Sequence, residues 1–363
     1  MNTIYIRTLK RAEHTVFCVA DGQKQYHDPQ FDRWVPYSSG QQVKRSILET
    51  LGGILNEQFS PVTFISKVKM NSTKKKLEFD GEGEVYGTCN PEYFDQLLGG
   101  WMKAEKGGDK RVLKRRSPLS ISAMRGLHPL LAGTKTETGT FDRRERSNNA
   151  VIVKDSSGNE LNEEQIDAFL LNSDSQVSLT SKYLKPSRRA TGLFVQDIAI
   201  DLRRLFCVSL NKLEPEIDSE TIEPILREAG WAETTTVFGT CLLAPKAIRE
   251  KLIPALAHAI INWSITSNQS RTFSLMETLA VSVSGNANKI AGSIRAKLKE
   301  EEENRAEPII EEDMAGVDSF VTLSAGGYIR TKKESAEALD KAEQVLIGRM
   351  EAFDYENQLQ KVE

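Results

Sequence analysis

Residues 36–53 constrain this chain more than any other stretch. Val43, Ile47, Leu48 and Leu51 stand at i, i+4, i+5 and i+8, which places them on one face of a helix. Ser38 or Ser39 supplies an N-cap and Gly52-Gly53 a stop. A loop, His27 to Pro36, precedes this helix, and β-rich segments precede the loop. In Thr3–Leu9, Ile4, Ile6 and Thr8 lie on one side and Tyr5, Arg7 and Leu9 on the other, so both faces are partly apolar. Together with Thr15–Ala20 this predicts one long strand or a strand pair.

The same periodicities return after a long interval. Gly192–Leu202 reads as a strand, Val237–Leu243 as another, and Leu279–Ser284 as a third. Between them Pro245–Trp263 is a helix whose stripe is Ile248, Leu252, Ile253, Leu256, Ile260 and Ile261, kinked at Pro254. Strand, helix, insertion, strand, strand, helix, strand predicts an α+β fold: an RRM-like (ferredoxin-like) sheet carrying a large helical or irregular insertion. Beyond it we expect two charged helices, Lys289 to about Arg305 and Lys332–Leu359, joined through a short strand near Phe320–Leu323. The expected divisions are 1–60 and 192–300 for the sheet unit, 61–175 for the insertion, 176–191 for a hairpin and 301–363 for a charged C-terminal region.

Charge narrows the function. The 363 residues hold 48 Lys and Arg against 51 Asp and Glu, a net −3 that conceals segregation. Lys103, Lys106, Lys110, Arg111, Lys114, Arg115 and Arg116 cluster against only Glu105 and Asp109. Further basic groups stand at Lys74–Lys76, at Arg143, Arg144 and Arg146, and at Lys182–Arg189, while acid gathers in Glu214–Glu233 and Glu300–Asp313. Such a distribution suits a polyanion held in a groove, or copies meeting basic side to acidic side.

Other classes drop out. The four cysteines are widely spaced without CxxC, and the four histidines form no HxH or HxxxH pair, which excludes a zinc hydrolase and a disulfide framework. Nucleophile-elbow, P-loop and HExxH motifs are absent, and no cofactor or metal is called for. No apolar run approaches the ~18 residues of a membrane span, so no membrane partner is expected. The Met1–Val19 stretch has no secretory character, which points to a cytoplasmic protein.

Candidate ligand contacts begin at the helix start. Ser38, Ser39, Gln41 and Gln42 bring donors, Gly40 permits close approach, and Lys44 and Arg45 follow one turn later, a set suited to phosphate. On these residues alone, an ordinary capped helix with a solvated Lys-Arg pair is the better reading.

A resemblance shifts that balance. Tyr37–Ile47 resembles the Ser-Ser-Gln element of the repeated backbone subunit of type I CRISPR Cascade complexes, placed after a first strand as in that family. Ala190–Leu202 is similar to the family's strand ending in an apolar-Asp-Leu triplet. Ala257–Trp263, running into Thr266–Phe273, resembles its helix followed by a polar loop. The resemblance implies a palm with an inserted region and a β-hairpin thumb. Copies would stack head to tail along a CRISPR guide RNA, beside other Cascade subunits, and reach target DNA through the guide.

It implies RNA contacts at Ser38, Ser39, Gln41, Gln42, Lys44 and Arg45. It adds Lys185, Arg188 and Arg189 in the thumb, where Tyr183–Arg189 combines an apolar wedge, a turn proline and paired arginines. Asn268, Gln269 and Arg271 are further candidates in a loop that is equally well a plain polar one. No catalytic residue is expected. The alternative is a target-RNA-cleaving backbone of the type III kind, using Asp28 or Asp32 with a divalent metal and His27 nearby, although Asp28 before Pro29 is first of all a turn former. A third reading is a non-CRISPR nucleic-acid-binding scaffold.

Overall fold

Residues 3–15 form one strand rather than two, and that strand organises the molecule. In the computed structural model all residues are described except 18–22, 72–75, 82, 105–111, 138–139, 143–150, 172–178, 180, 184–186, 266–272, 301 and 360–363. The main sheet has ten strands. They are β1 (Thr3–Thr15), β2 (Gln25–Asp28), β3 (Arg33–Ser38), β4 (Leu119–Ile121), β5 (Met124–Gly126), β6 (Ala132–Glu137), β7 (Ser187–Asp201), β8 (Thr278–Ser284), β9 (Val317–Thr322) and β10 (Glu334–Ser335). Their order is β2-β3-β5-β7-β1-β8-β9-β10, with β4 and β6 also paired to β7. Pairing is antiparallel except between β9 and β10.

The core lies on one side of this sheet. Ile4, Ile6 and Ala12 point from β1 under three helices, α1 (Gly40–Leu55), α3 (Lys246–Asn262) and α5 (Ala338–Glu351); α2 (Phe94–Gly99) packs against α1. Val43, Ile47 and Leu51 supply the α1 stripe, and α3, with Pro254 inside it, packs on both α1 and α5. On the other side Leu9 joins a smaller cluster with Leu193, Ala280, Ile294 and Ile310. A short helix, α4 (Ala287–Ser293), borders that side. Counted as β1, α1, β4/β5, β7, α3, β8, the central strands lie in the spatial order second, third, first, fourth.

Several expectations need correction. Val237–Leu243 does not join the main sheet: Gly239–Leu243 sits in a separate three-stranded sheet with Cys207–Ser209 and Ala232–Thr236. Its expected place beside β7 is taken by β4 and β5, which register as Ser120↔Ala199 and Arg125↔Val195. The charged helix expected to run to Arg305 ends at Ser293, and Ile294–Lys299 pairs with Glu302–Ile310. Ile294 and Ile310 lie opposite each other there and bury together against Leu9, so tertiary packing overrides helix propensity. The last helix spans Ala338–Glu351 rather than Lys332–Leu359. The stretch 61–175 is mostly hairpins, Val62–Ile65 with Glu84–Gly87, Val68–Asn71 with Lys76–Phe79, and Trp101–Lys103 with Leu113–Arg115.

β6 and the first part of β7 extend the sheet as an antiparallel pair, here called the arm, from Ala132↔Gly192 to Glu137↔Ser187. Thr140–Asp142 and Ser181–Tyr183 pair beyond it. At the arm's root Gly192 adopts φ +138°, and a Cβ there would stand 2.3 Å from the Leu131 carbonyl oxygen. Only glycine fits.

Candidate nucleic-acid interface

The helix start is built as a cap. Ser39 is extended, and its hydroxyl accepts from the Gln42 N–H at 3.3 Å. Ser38 ends β3 opposite Met124 and is buried. Gly40 does allow a close approach, but what approaches is protein backbone: an added Cβ would lie 2.5 Å from the Ile121 carbonyl oxygen. Gln41 is exposed and Gln42 half-buried.

Lys44 turns inward. Its ammonium donates to the Gly99 carbonyl at 2.8 Å and the Ser117 hydroxyl at 2.6 Å. Burial, then the nearby charge of Arg115, lowers its pKa to about 8. Lys44 therefore ties α1 to the end of α2 and to the Ser117 turn. Arg45 faces outward, donates to Glu49 at 2.6 Å, and lies 4.6 Å from the Phe59 ring centroid.

A second group of residues, not singled out as contacts in the sequence, occupies the sheet face opposite the helices. Arg7 and Asp197 are direct cross-strand partners in the β1–β7 ladder. Arg7 grips Asp197 with two hydrogen bonds, 2.6 Å and 3.0 Å, and Arg125 of β5 adds a third at 3.1 Å. Arg7 also donates to the Ala291 and Ile294 carbonyls at 2.6 and 3.1 Å. The Asp197 N–H donates to the Ser122 hydroxyl at 2.9 Å. Arg7 and Asp197 line a hollow of about 390 Å³ edged by Tyr5, Ser120, Ser122 and the start of α4, with Arg125 beside it on Asp197. Two guanidiniums on one carboxylate leave one positive charge there, held on rigid strands. The backbone beside which Gly40 packs, Ile121–Ser122, lines the same hollow. The α1 start and the sheet face thus share an edge. The available signal was strand alternation, which sets Tyr5 and Arg7 against Ile4 and Ile6. Arg125 gave none.

The arm holds the next set. Arg188 is exposed and donates to the Gln25 side-chain oxygen, while the Gln25 amide donates to Thr134 at 2.7 Å. Arg189 is buried and pairs with Glu137 at 2.7 Å. It locks β6 to β7 and offers nothing outward. Lys185, Asn268, Gln269 and Arg271 lie outside the described residues, as do Arg143, Arg144 and Arg146.

Asp28 shapes a turn: its Oδ1 accepts from the Gln30 and Phe31 N–H groups at 3.1 and 3.0 Å. Asp32 is 96% exposed in its side chain and meets His27 Nε2 at 2.9 Å. Among the described residues no group of three His, Cys, Asp or Glu side chains is placed to hold a metal, and no helix is long and apolar enough to cross a membrane.

No protein-family model and no curated protein matches the chain. Among solved structures it is similar to a chain from "CRISPR RNA-guided surveillance complex, pre-nicking", with 10% identity, TM-score 0.43, and 77% of each chain covered. It is also similar to a chain from "CRISPR RNA-guided surveillance complex", with 10% identity, TM-score 0.40, and coverage of 94% of this chain and 99% of that one. Likenesses of this size decide nothing about function, which has to be argued from the residues.

Proposed function

We propose that the chain is the guide-RNA-binding backbone subunit of a type I CRISPR surveillance complex, with RNA running from the α1 start across the open hollow of the sheet. The Arg7–Asp197–Arg125 cluster carries this reading. It sets a net positive charge, hydroxyls and a tyrosine on rigid strands, the chemistry that grips RNA backbone without reading bases. The order of the central strands, with both α1 and α3 on one face, supports an RRM-like palm. The β6–β7 arm is its thumb.

Lys44 and Arg189 drop out of the contact set because each is spent inside the protein, and Ser38 because it is buried. Ser39, Gln41, Gln42, Arg45 and Arg188 remain, with Lys185, Asn268, Gln269 and Arg271 from the resemblance, and Arg125 is added. Copies stack head to tail beside other Cascade subunits, and target DNA is reached through pairing with the guide. The subunit is not an enzyme in this reading: Asp28 is committed to its turn, and Asp32 stands in solvent with only His27 beside it.

The test is RNA retention. Arg125→Gln should lower the 260/280 nm absorbance ratio of the purified protein and reduce the salt slope of binding to single-stranded RNA by ~0.7, one phosphate contact. Circular dichroism should stay that of the parent. An unchanged ratio together with an unchanged slope would remove the sheet face from the binding site.

A further inference from the structure

A cleft of about 880 Å³ lies away from the sheet hollow and shares no residue with it. Lys114 and Arg116 form one wall, Ser209, Asn211 and Leu213 another, and Arg204 with Phe238 the base. Arg115, between the two wall cations, points the opposite way and is buried, so Lys114 and Arg116 are both pushed outward by strand alternation. Neither has an acidic partner among the described residues.

The base is prearranged. The Arg204 guanidinium carbon lies 3.6 Å from the Phe238 ring centroid, and that of Arg203 5.3 Å. Glu216 holds Arg204 at 3.2 Å while its other oxygen accepts from the Ser209 N–H at 2.8 Å. Glu216 is itself buried, with the Arg115 guanidinium 3.8 Å away. Its charge is spent inside. Asn211 uses its carbonyl oxygen on the Leu213 N–H at 2.8 Å, which leaves its amide N–H groups to donate. Counting Lys114, Arg116 and Arg204 against Glu214 and Glu216, the cleft has one positive charge in excess.

We propose that this cleft binds a nucleoside phosphate. The base stacks on the Phe238–Arg204 platform and the phosphate is held by Lys114 and Arg116. A plain anion needs the charge but not the platform, and an apolar ligand needs the platform but not the charge. Both together match a nucleotide, and fixing Arg204 beforehand spares the ordering cost of binding. A free mononucleotide and a nucleotide within a single strand present the same chemistry.

Photolabelling of the full chain tests this and separates the sources. 8-Azido-AMP and a 12-nucleotide RNA bearing 4-thiouridine serve as probes, with labelled peptides mapped by mass spectrometry. Saturable labelling of the peptide holding Phe238 by 8-azido-AMP, displaced by AMP but not by inorganic phosphate, assigns a free nucleotide. Labelling there by the RNA alone assigns a strand. In either case Phe238→Leu should weaken labelling about tenfold, the size of one lost stack. The pair Lys114→Gln and Arg116→Gln should reduce the RNA salt slope by ~1.4. The Arg125→Gln protein should keep the parent's labelling of the cleft by 8-azido-AMP, whatever it loses in RNA binding, so failure of the sheet reading and failure of this one are told apart. The proposal is overturned if no probe labels the cleft, if labelling survives both sets of substitutions, or if only an acidic protein protects it.

Discussion

Lys10 donates its ammonium to the Trp263 carbonyl at 3.2 Å and lies 4.8 Å from that residue's ring centroid. A second bond, 2.8 Å, goes to the Thr278 hydroxyl. Lys10 thus pins the end of α3 to the start of β8.

Burial lowers Lys10 to about 7, and Lys44 stands at about 8. Both values lie below that of an unfolded lysine, ~10.4. Between the folded and unfolded values the unfolded chain holds the extra proton, so stability should rise with pH above about 7, with Lys44 adding to the rise above about 8. Each lysine adds at most ~1.4 kcal/mol per pH unit. Starting at neutral pH keeps out His128, whose pKa burial lowers. Urea midpoints measured from pH 7 to 8 should climb, and Lys10→Met should flatten the climb. The window stops short of ~8.5, the unfolded thiol value, because burial raises Cys89, Cys207 and Cys241 and their titration opposes the rise. A flat parent profile, or the same slope in the variant, would contradict this account of Lys10.

Gly40→Ala should destabilise the fold by ~1–3 kcal/mol, because the new methyl meets the Ile121 carbonyl and forces α1 away from β4. Gly53→Ala, in the same helix with open space at its Cβ, should be neutral or stabilising. Urea unfolding of the two variants makes the comparison. Equal effects would mean that the close contact yields at no cost.

Complementary target RNA should survive long incubation with the loaded complex and magnesium or manganese. Asp28→Ala should loosen the loop, since Asp28 accepts two backbone hydrogen bonds, while Asp32→Ala should do little. A carboxylate needs a bound metal or an adjacent base to activate a 2′-hydroxyl. Periodic fragments on a sequencing gel, lost in the Asp32→Ala protein, would make this chain a ribonuclease.

RNAs of increasing length should yield complexes that grow in steps of one protein mass during sedimentation velocity. Head-to-tail contacts between basic and acidic regions are heterologous and need not close. One protein per RNA at every length would rule out stacking along the guide.

What the sequence made legible tracks how long each pattern runs. α1 spans 16 residues and β7 15, ample for a period to declare itself. β4 and β5 have three residues each, too few to show alternation, so their place in the sheet was invisible. In the Ile290–Leu298 stretch, four-residue spacing imitates a helix, and only burial of Ile294 and Ile310 against Leu9 decides otherwise. The site followed the same rule. Lys44 has the right residue type one turn into the helix, but helical phase turns it toward Gly99. Arg7 and Asp197 are 190 positions apart, and only the strand register, which no composition reveals, makes them partners.

β7 runs without a break from the arm to Asp201, past Gly192 and Asp197. At ~3.3 Å per residue the regular run from Gly192 to Asp197 measures about 17 Å. The arm and the Arg7–Asp197 hollow therefore sit on one strand, whose ladder to β1 is regular from Gly192 to Asp201 and shifts register only at the arm's root. The interval between them is a fixed length set by residue count. In the proposed assembly it would act as a ruler, each copy marking off the same length on whatever strand is laid along it.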